Sequence, residues 1–260
     1  MGPRGEESAC LLTFLLGATM NINTHIRCGD CPIRHRAVCS RCDETELDEL
    51  EVIKTYQSFR AGETIIWAED DLEFVGSIVM GAATLSKTME DGRRQMVGLL
   101  TPSDFIGRPG REKAPFDVTA VSDTLICRFR KPDFEALMNQ SPHISMRLLE
   151  MTMDELDAAR NWMMILGRKT AREKIASFLV MLADRQISLS QTQGATSVRI
   201  ALPITREAIA DYLGLTIETV SRQFSALKKA NVIQLEGLRS VVAPDLAALR
   251  EEAGEDPVDI

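Results

Sequence analysis

Thr205-Arg-Glu-Ala-Ile-Ala-Asp-Tyr-Leu213-Gly214-Leu-Thr216-Ile-Glu218-Thr-Val-Ser221-Arg222 reads as a helix, a glycine turn and a second helix capped by Thr216. This is the helix-turn-helix pattern. On the second helix, Ile217, Val220, Phe224 and Leu227 recur at helical spacing and predict the core stripe, leaving Glu218, Ser221, Arg222 and Ser225 on the opposite face. An arginine can bond guanine O6 and N7 together, a glutamate can accept from cytosine N4, and a serine can contact either base edge. The same four residues also read as a solvated face on which Glu218 and Arg222 form an i,i+4 pair worth a few tenths of a kcal/mol. Their place at the opening of the second helix, beside Thr216, favours base readout.

Downstream, Ile233-Gln-Leu235, Gly237 and Ser240-Val-Val-Ala243 predict a β-hairpin wing, and an acidic tail that frays is expected after Glu251. Upstream, a strand over Ser197–Leu202 follows a polar loop, Ser188 to Thr196. Before that comes a helix whose first half is basic, with Arg168, Lys169, Arg172 and Lys174. Ser141-Pro142 marks the start of a longer helix, with proline at the first helical position. No breaker follows until Gly167, which gives about 25 residues and nearly 40 Å. Along it Leu149, Thr152, Leu156, Ala159, Met163 and Leu166 alternate three and four apart, the spacing of a coiled-coil seam. Ile144, Leu148, Met151 and Trp162 supply a second apolar face, assigned to packing on the preceding domain. Two apolar faces on one long helix predict a homodimer.

From Thr55 to about Arg130 the chain becomes short apolar runs between glycine turns. Glu63–Trp67, Phe74–Met80, Ala83–Lys87, Gln95–Leu100, Asp117–Val121 and Thr124–Phe129 predict strands, with a hairpin at Asp91-Gly92. This spacing predicts an antiparallel jelly-roll barrel. Asp43 to Ile53 precedes it as a short amphipathic helix with Leu47, Leu50 and Ile53 on one face.

At the N-terminal end stands Cys28-Gly-Asp-Cys31-Pro-Ile-Arg-His-Arg-Ala-Val-Cys39-Ser-Arg-Cys42. Only Cys10 and Cys127 occur elsewhere, and Cys10 has no evident partner. The intervening positions are mostly charged or turn-forming, so these thiols either bridge one another or hold a metal. A tetrahedral zinc on Cys28, Cys31, Cys39 and Cys42 and an iron–sulfur cluster both satisfy the spacing. Pro32 and Val38 flank the ligands and are expected to line the approach to them.

A net charge of -8 over 260 residues excludes a general polycation but leaves room for a local DNA-binding surface. Residues 9–20 are apolar yet shorter than the roughly 20 residues of a membrane span, and their flanks suit a signal peptide poorly. A cytoplasmic protein with no membrane partner is expected, and there clustered cysteines bind metal more often than they form disulfides. Residues 1–19 read as an extension ahead of Met20. With three histidines and no nucleophile–base pairing, an enzyme is not expected.

The order barrel, long helix and winged helix-turn-helix resembles the CRP/FNR family of bacterial transcription regulators from about residue 28 onward. Glu218-Thr-Val-Ser221-Arg222 matches the Glu-x-x-Ser-Arg motif of the FNR branch. Arg27–Cys39 and Met89–Leu100 are similar to the oxygen-responsive FnrL/FnrN type. The resemblance implies an α+β chain with a cyclic-nucleotide-binding-like barrel, and segments 1–46 (extension and cysteine cluster), 47–141 (barrel), 142–167 (dimerisation helix), 168–250 (winged helix) and 251–260 (tail). It further implies a [4Fe–4S] cluster on Cys28, Cys31, Cys39 and Cys127, with Cys42 as alternate. Binding to inverted repeats of TTGAT half-sites in double-stranded DNA, and to RNA polymerase through Glu90-Asp91-Gly92-Arg93, also comes from the resemblance. Ala114-Pro115 stand where cyclic-nucleotide binders of the family carry Arg-Ser, so no cyclic nucleotide is expected. A ligand-gated regulator with a zinc-stapled N-terminus is the alternative.

Overall fold

The computed structural model describes residues 26–190 and 196–255. The expectations for Cys10, Met20 and the rest of residues 1–25 lie outside the described residues, as do those for 191–195 and 256–260. The chain divides into two compact units, Met1–Asp154 and Glu155–Ile260.

In the first unit α1 (Glu44–Ile53) opens with a capping box. Asp43 accepts from the Glu46 amide at 2.9 Å, and Glu46 accepts from the Asp43 amide at 2.9 Å. Leu47 and Leu50 are its buried face. Eight strands follow: β1 (Lys54–Phe59), β2 (Thr64–Ile66), β3 (Phe74–Met80), β4 (Ala83–Thr88), β5 (Arg94–Leu100), β6 (Phe105–Ile106), β7 (Asp117–Ala120) and β8 (Thr124–Arg130). They form two antiparallel four-stranded sheets, ordered β1-β8-β3-β6 and β2-β7-β4-β5, with Ile66, Ile78, Leu100, Ile106, Val118 and Ile126 in the core between them. The Asp91-Gly92 hairpin joins β4 to β5, with Gly92 at φ 85°. The sequence pattern does not mark two of these strands: β1, whose Lys-Thr-Tyr-Gln-Ser-Phe lacks apolar alternation, and β6, which is two residues long. A further helix, α2 (Lys131–Gln140), was also unforeseen; proline in its first turn opens it and Phe134 and Leu137 bury it.

The long helix α3 (Pro142–Arg168) runs through Gly167 rather than stopping there. Ser141 Oγ accepts from the Ile144 amide at 3.3 Å. Ile144 is fully buried, and Leu148 and Met151 are half-buried. Trp162 departs from the expected pattern. It stacks on Tyr212 of the second unit, with ring centroids 4.2 Å apart, instead of extending the barrel face. Leu149, Thr152, Leu156, Ala159 and Met163 are exposed and Leu166 is half-buried.

The second unit continues with α4 (Ala171–Ser190), β9 (Val198–Ala201), α5 (Arg206–Leu213), α6 (Ile217–Lys229), β10 (Gln234–Leu235), β11 (Ser240–Ala243) and α7 (Leu246–Glu252). The three strands make one antiparallel sheet, ordered β10-β11-β9. The expectation of a frayed end after Glu251 fails for the described residues. Glu252 pairs with Arg172 at 2.5 Å, and Ala253 is buried with its carbonyl accepting from Lys169 at 2.6 Å.

Glu46 joins the starts of α1 and α3, because Ser141 Oγ donates to its carboxylate and His143 Nδ1 lies 3.0 Å away. Burial opposes its ionisation, but Ser141, the Asp43 amide and His143 outweigh burial and hold its carboxyl below the ordinary value of 4.5. A depressed folded-state value contributes stability above the unfolded-state value, which is lost as pH falls through the folded one. Glu46→Gln is therefore expected to lower stability at pH 7 and to flatten the fall in stability below about pH 4.5, measured by urea unfolding across that range.

Candidate metal centre and nucleic-acid interface

Residues 28–42 fold as consecutive turns. A short 3-10 turn spans Cys28–Asp30, and the Arg34, Ala37 and Ser40 amides each reach back three or four residues, to Cys31, Ile33 and Ala37. Ile33, Ala37 and Val38 are buried, which seats the segment while Arg41 and His35 stay exposed. Cys127 arrives on β8, between β1 and β3, directly across from Tyr56 and Ser77. Gly76 makes this approach feasible, because a Cβ there would lie 2.3 Å from the Cys127 carbonyl oxygen.

Cys28, Cys31, Cys39 and Cys127 line one cavity, walled by Ile33, Ala37, Val38, Leu50, Tyr56 and Phe129. Cys42 is buried but does not line it, and neither does Pro32. All five thiols are free. Burial is the main reason each is harder to ionise than usual: Cys28 and Cys42 are pushed up to about 12, Cys39 to about 11, and Cys31 and Cys127 also rise. The Lys54 ammonium acts against burial at Cys28, Cys31, Cys39 and Cys127. Ser77 also lines the cavity, and its buried hydroxyl has no hydrogen-bond partner among the described residues.

A tetrahedral zinc with bonds of about 2.3 Å brings its sulfurs to roughly 3.8 Å of one another. Among the described residues, the group whose ligand atoms converge within 4.8 Å is Asp43, Glu46 and His143, not the cysteines. Four thiols around one apolar cavity, with an unpartnered hydroxyl beside them, form a donor set that fits an iron–sulfur cluster.

In the second unit, Thr205 and Thr216 cap α5 and α6, and Gly214 turns between them at φ 61°. That left-handed conformation favours glycine. Val220, Phe224 and Leu227 are buried as expected. Ile217 is not part of that core. It is 44% exposed and joins Glu218, Ser221, Arg222 and Ser225 on one open surface. Its own backbone amide and the Thr216 hydroxyl hold the Glu218 carboxyl below its usual range, with Arg222 adding to the effect. Arg206 lies over the Phe224 ring, 3.0 Å from its centroid, and burial pulls its value down to about 10. Neither Arg206 nor Lys54 carries a sequence signal that marks it. Glu90, Asp91, Gly92 and Arg93 form the exposed β4–β5 hairpin tip, where Arg93 pairs with Asp91 at 2.8 Å.

A barrel, a long helix and a helix-turn-helix with a β-wing define a DNA-binding transcription regulator with an attached β-barrel domain. The family model described as the Crp-like helix-turn-helix domain matches residues 173–252, and that described as the cyclic nucleotide-binding domain matches residues 56–141. The chain is 62% identical over 230 residues to the transcriptional activator protein FnrL of Cereibacter sphaeroides, covering 88% of this chain and 93% of that protein. It is 39% identical over 208 residues to the nitrogen fixation regulation protein FixK of Bradyrhizobium diazoefficiens, covering 80% of this chain and 86% of that one. The solved structure of FixK2 from Bradyrhizobium japonicum superposes with a TM-score of 0.68 at 32% identity, covering 76% of this chain and 96% of that one. The chain belongs to the CRP/FNR family of transcription regulators and is not an enzyme. No helix among the described residues is long and apolar enough to cross a membrane.

The Gly76 contact yields a test of how Cys127 is placed. Gly76→Ala is expected to destabilise the protein by about 1–3 kcal/mol, the usual range for overpacking, read from urea midpoints. Gly29→Ala, where an added Cβ meets nothing within 4 Å, is the control and should change stability little.

Proposed function

We propose that the chain is an oxygen-responsive transcription activator of the cytoplasm in which Cys28, Cys31, Cys39 and Cys127 hold a [4Fe–4S] cluster. The observation that carries this reading is the meeting of those four thiols, and not Cys42, around one cavity. When bound, the cluster supplies an oxygen-labile centre. The protein's part is to connect that centre to the long helix. Three ligands ride on the 28–42 segment and the fourth on β8, so joining them ties the segment to the barrel. Arg147 of α3 donates to the Arg36 carbonyl at 2.7 Å, and Arg41 pairs with Glu150 of α3 at 2.8 Å. A shift of the cysteine segment thus reaches the helix that carries Leu149, Thr152, Leu156, Ala159, Met163 and Leu166.

A second copy covering that row would form the homodimer and set two α6 helices on an inverted repeat of TTGAT-type half-sites. Glu218, Ser221, Arg222 and Ser225, with Thr216 at the helix start, would read the bases. The hairpin tip Glu90-Asp91-Gly92-Arg93 would meet RNA polymerase. A cyclic nucleotide is not the ligand proposed, since Ala114 and Pro115 offer a phosphate no charge, and Ala114 is buried.

The reading is tested by anaerobic purification and reconstitution, with iron and sulfide analysis and a visible spectrum before and after air. We expect about four iron and four sulfide per chain and a broad absorption that bleaches in air. Cys127→Ser should lose the cluster, whereas Cys42→Ser should keep it. A colourless protein with stoichiometric zinc would overturn the proposal in favour of a zinc-stapled, ligand-gated regulator.

The DNA half has its own test. Arg222→Ala should weaken binding to an intact half-site pair by about 1–3 kcal/mol per contacted base and relax preference at that base, measured by anaerobic fluorescence anisotropy on matched and altered duplexes. An unchanged preference would remove Arg222 from base readout.

A further inference from the structure

Lys54 is the first residue of β1, and its side chain is only 1% exposed. A buried ammonium requires partners for its charge and for its three donors. Lys54 Nζ has all three: the Ile26 carbonyl at 2.5 Å, Glu51 Oε2 at 2.7 Å and Cys28 Sγ at 3.6 Å. It also lies 5.4 Å from the centre of the Tyr56 ring, whose hydroxyl donates to the same Ile26 carbonyl at 3.1 Å. Glu51 Oε2 in turn accepts from the Cys28 amide at 2.7 Å. Lys54, Glu51 and Cys28 are therefore one hydrogen-bonded group at the first cavity cysteine, with Lys54 and Cys28 buried and Glu51 partly exposed.

Two of the three acceptors need no explanation, because a carbonyl and a carboxylate are strong partners for an ammonium. The third is a sulfur. A neutral thiol accepts hydrogen bonds weakly, whereas a thiolate bound to metal carries charge and accepts strongly. The bond from Lys54 to Cys28 reaches full strength only when Cys28 is a thiolate, the form in which it binds metal. Hydrogen bonds to ligand sulfurs and the net charge nearby are among the factors that set the potential of an iron–sulfur centre.

We infer that Lys54 and Glu51 are the positioning pair of the metal centre. Lys54 donates to the Cys28 sulfur and favours the more electron-rich state of the bound cluster, while Glu51 partly offsets that charge. This rests on the reading under Proposed function and adds to it which side chains set the electronic balance of the site, and in which direction each acts.

The test uses full-length protein reconstituted anaerobically, with the one-electron reduction midpoint of the cluster followed by electron paramagnetic resonance. Lys54→Met should move the redox equilibrium about tenfold toward the oxidised state, a midpoint lower by about 59 mV for a one-electron couple. Glu51→Gln should move it in the opposite direction, and Lys54→Arg should leave it within about threefold of wild type, about 28 mV on the same scale. A purely structural pair predicts no shift, or shifts of one sign in both variants, and either result overturns the inference. If Lys54→Met takes up no iron, Glu51→Gln decides alone: a raised midpoint supports the inference, and an unchanged or lowered one refutes it. Wild-type protein that binds no iron and sulfide defeats the cluster reading and this inference together. A loaded wild type with unshifted variants defeats only the inference.

Discussion

The antiparallel pairing of β8 between β1 and β3 holds Cys127 from both sides, facing Tyr56 on one neighbour and Ser77 on the other. Ladders on both flanks leave that thiol no freedom to withdraw, and the missing side chain at Gly76 lets the strands close around it. The other three cavity thiols lie on turns with no regular hydrogen-bond ladder of their own. The site is thus a fixed strand thiol met by a segment whose placement depends on its contacts. Burial makes every one of these thiols reluctant to ionise alone, with Lys54 as a compensating charge at all four and Arg34 ahead of it at Cys39. Such a cavity is poorly suited to free thiolates and well suited to a centre that neutralises several at once.

The helix-turn-helix was legible because its determinants are local. Thr216 before the second helix, Gly214 between the helices and the spacing of Val220, Phe224 and Leu227 act within a few residues of one another. The same periodicity over-reached at Ile217, since it carries no information on where the surrounding core ends. Trp162 shows the same limit. Helical spacing places it on an apolar face but cannot say which neighbour that face meets.

The cysteine cavity was legible only in part. Cysteine spacing alone allows zinc or a cluster, and only the three-dimensional meeting of Cys127 with Cys28, Cys31 and Cys39 separates Cys42 from them. Lys54 left no trace in the sequence. It follows an amphipathic helix and opens a strand without apolar alternation, so it reads as surface. Its burial is created by β1 pairing with β8 and by the N-terminal segment folding over it. Ser77 likewise looks like a routine strand serine until Cys127 is placed opposite it.

On the proposed reading, the link from the cysteine segment to α3 has a size that suits a switch. The Arg41–Glu150 pair is partly exposed, and pairs of that kind contribute between nothing and about 1 kcal/mol. The Arg147 bond to the Arg36 carbonyl is better shielded, and hydrogen bonds from charged groups contribute about 1.5–3 kcal/mol. Glu46 of α1, held by Ser141 and His143, adds a third attachment, at the start of the same helix. A tenfold change in association needs only about 1.4 kcal/mol. A seam whose row includes Thr152 and Ala159 among larger residues gains less from burial than one of leucines throughout. The helix pairing is then weak enough for a link of a few hydrogen bonds to decide it. A stronger seam would hold the dimer together whatever the cysteine segment did, and the metal centre would lose its hold on the DNA-binding unit.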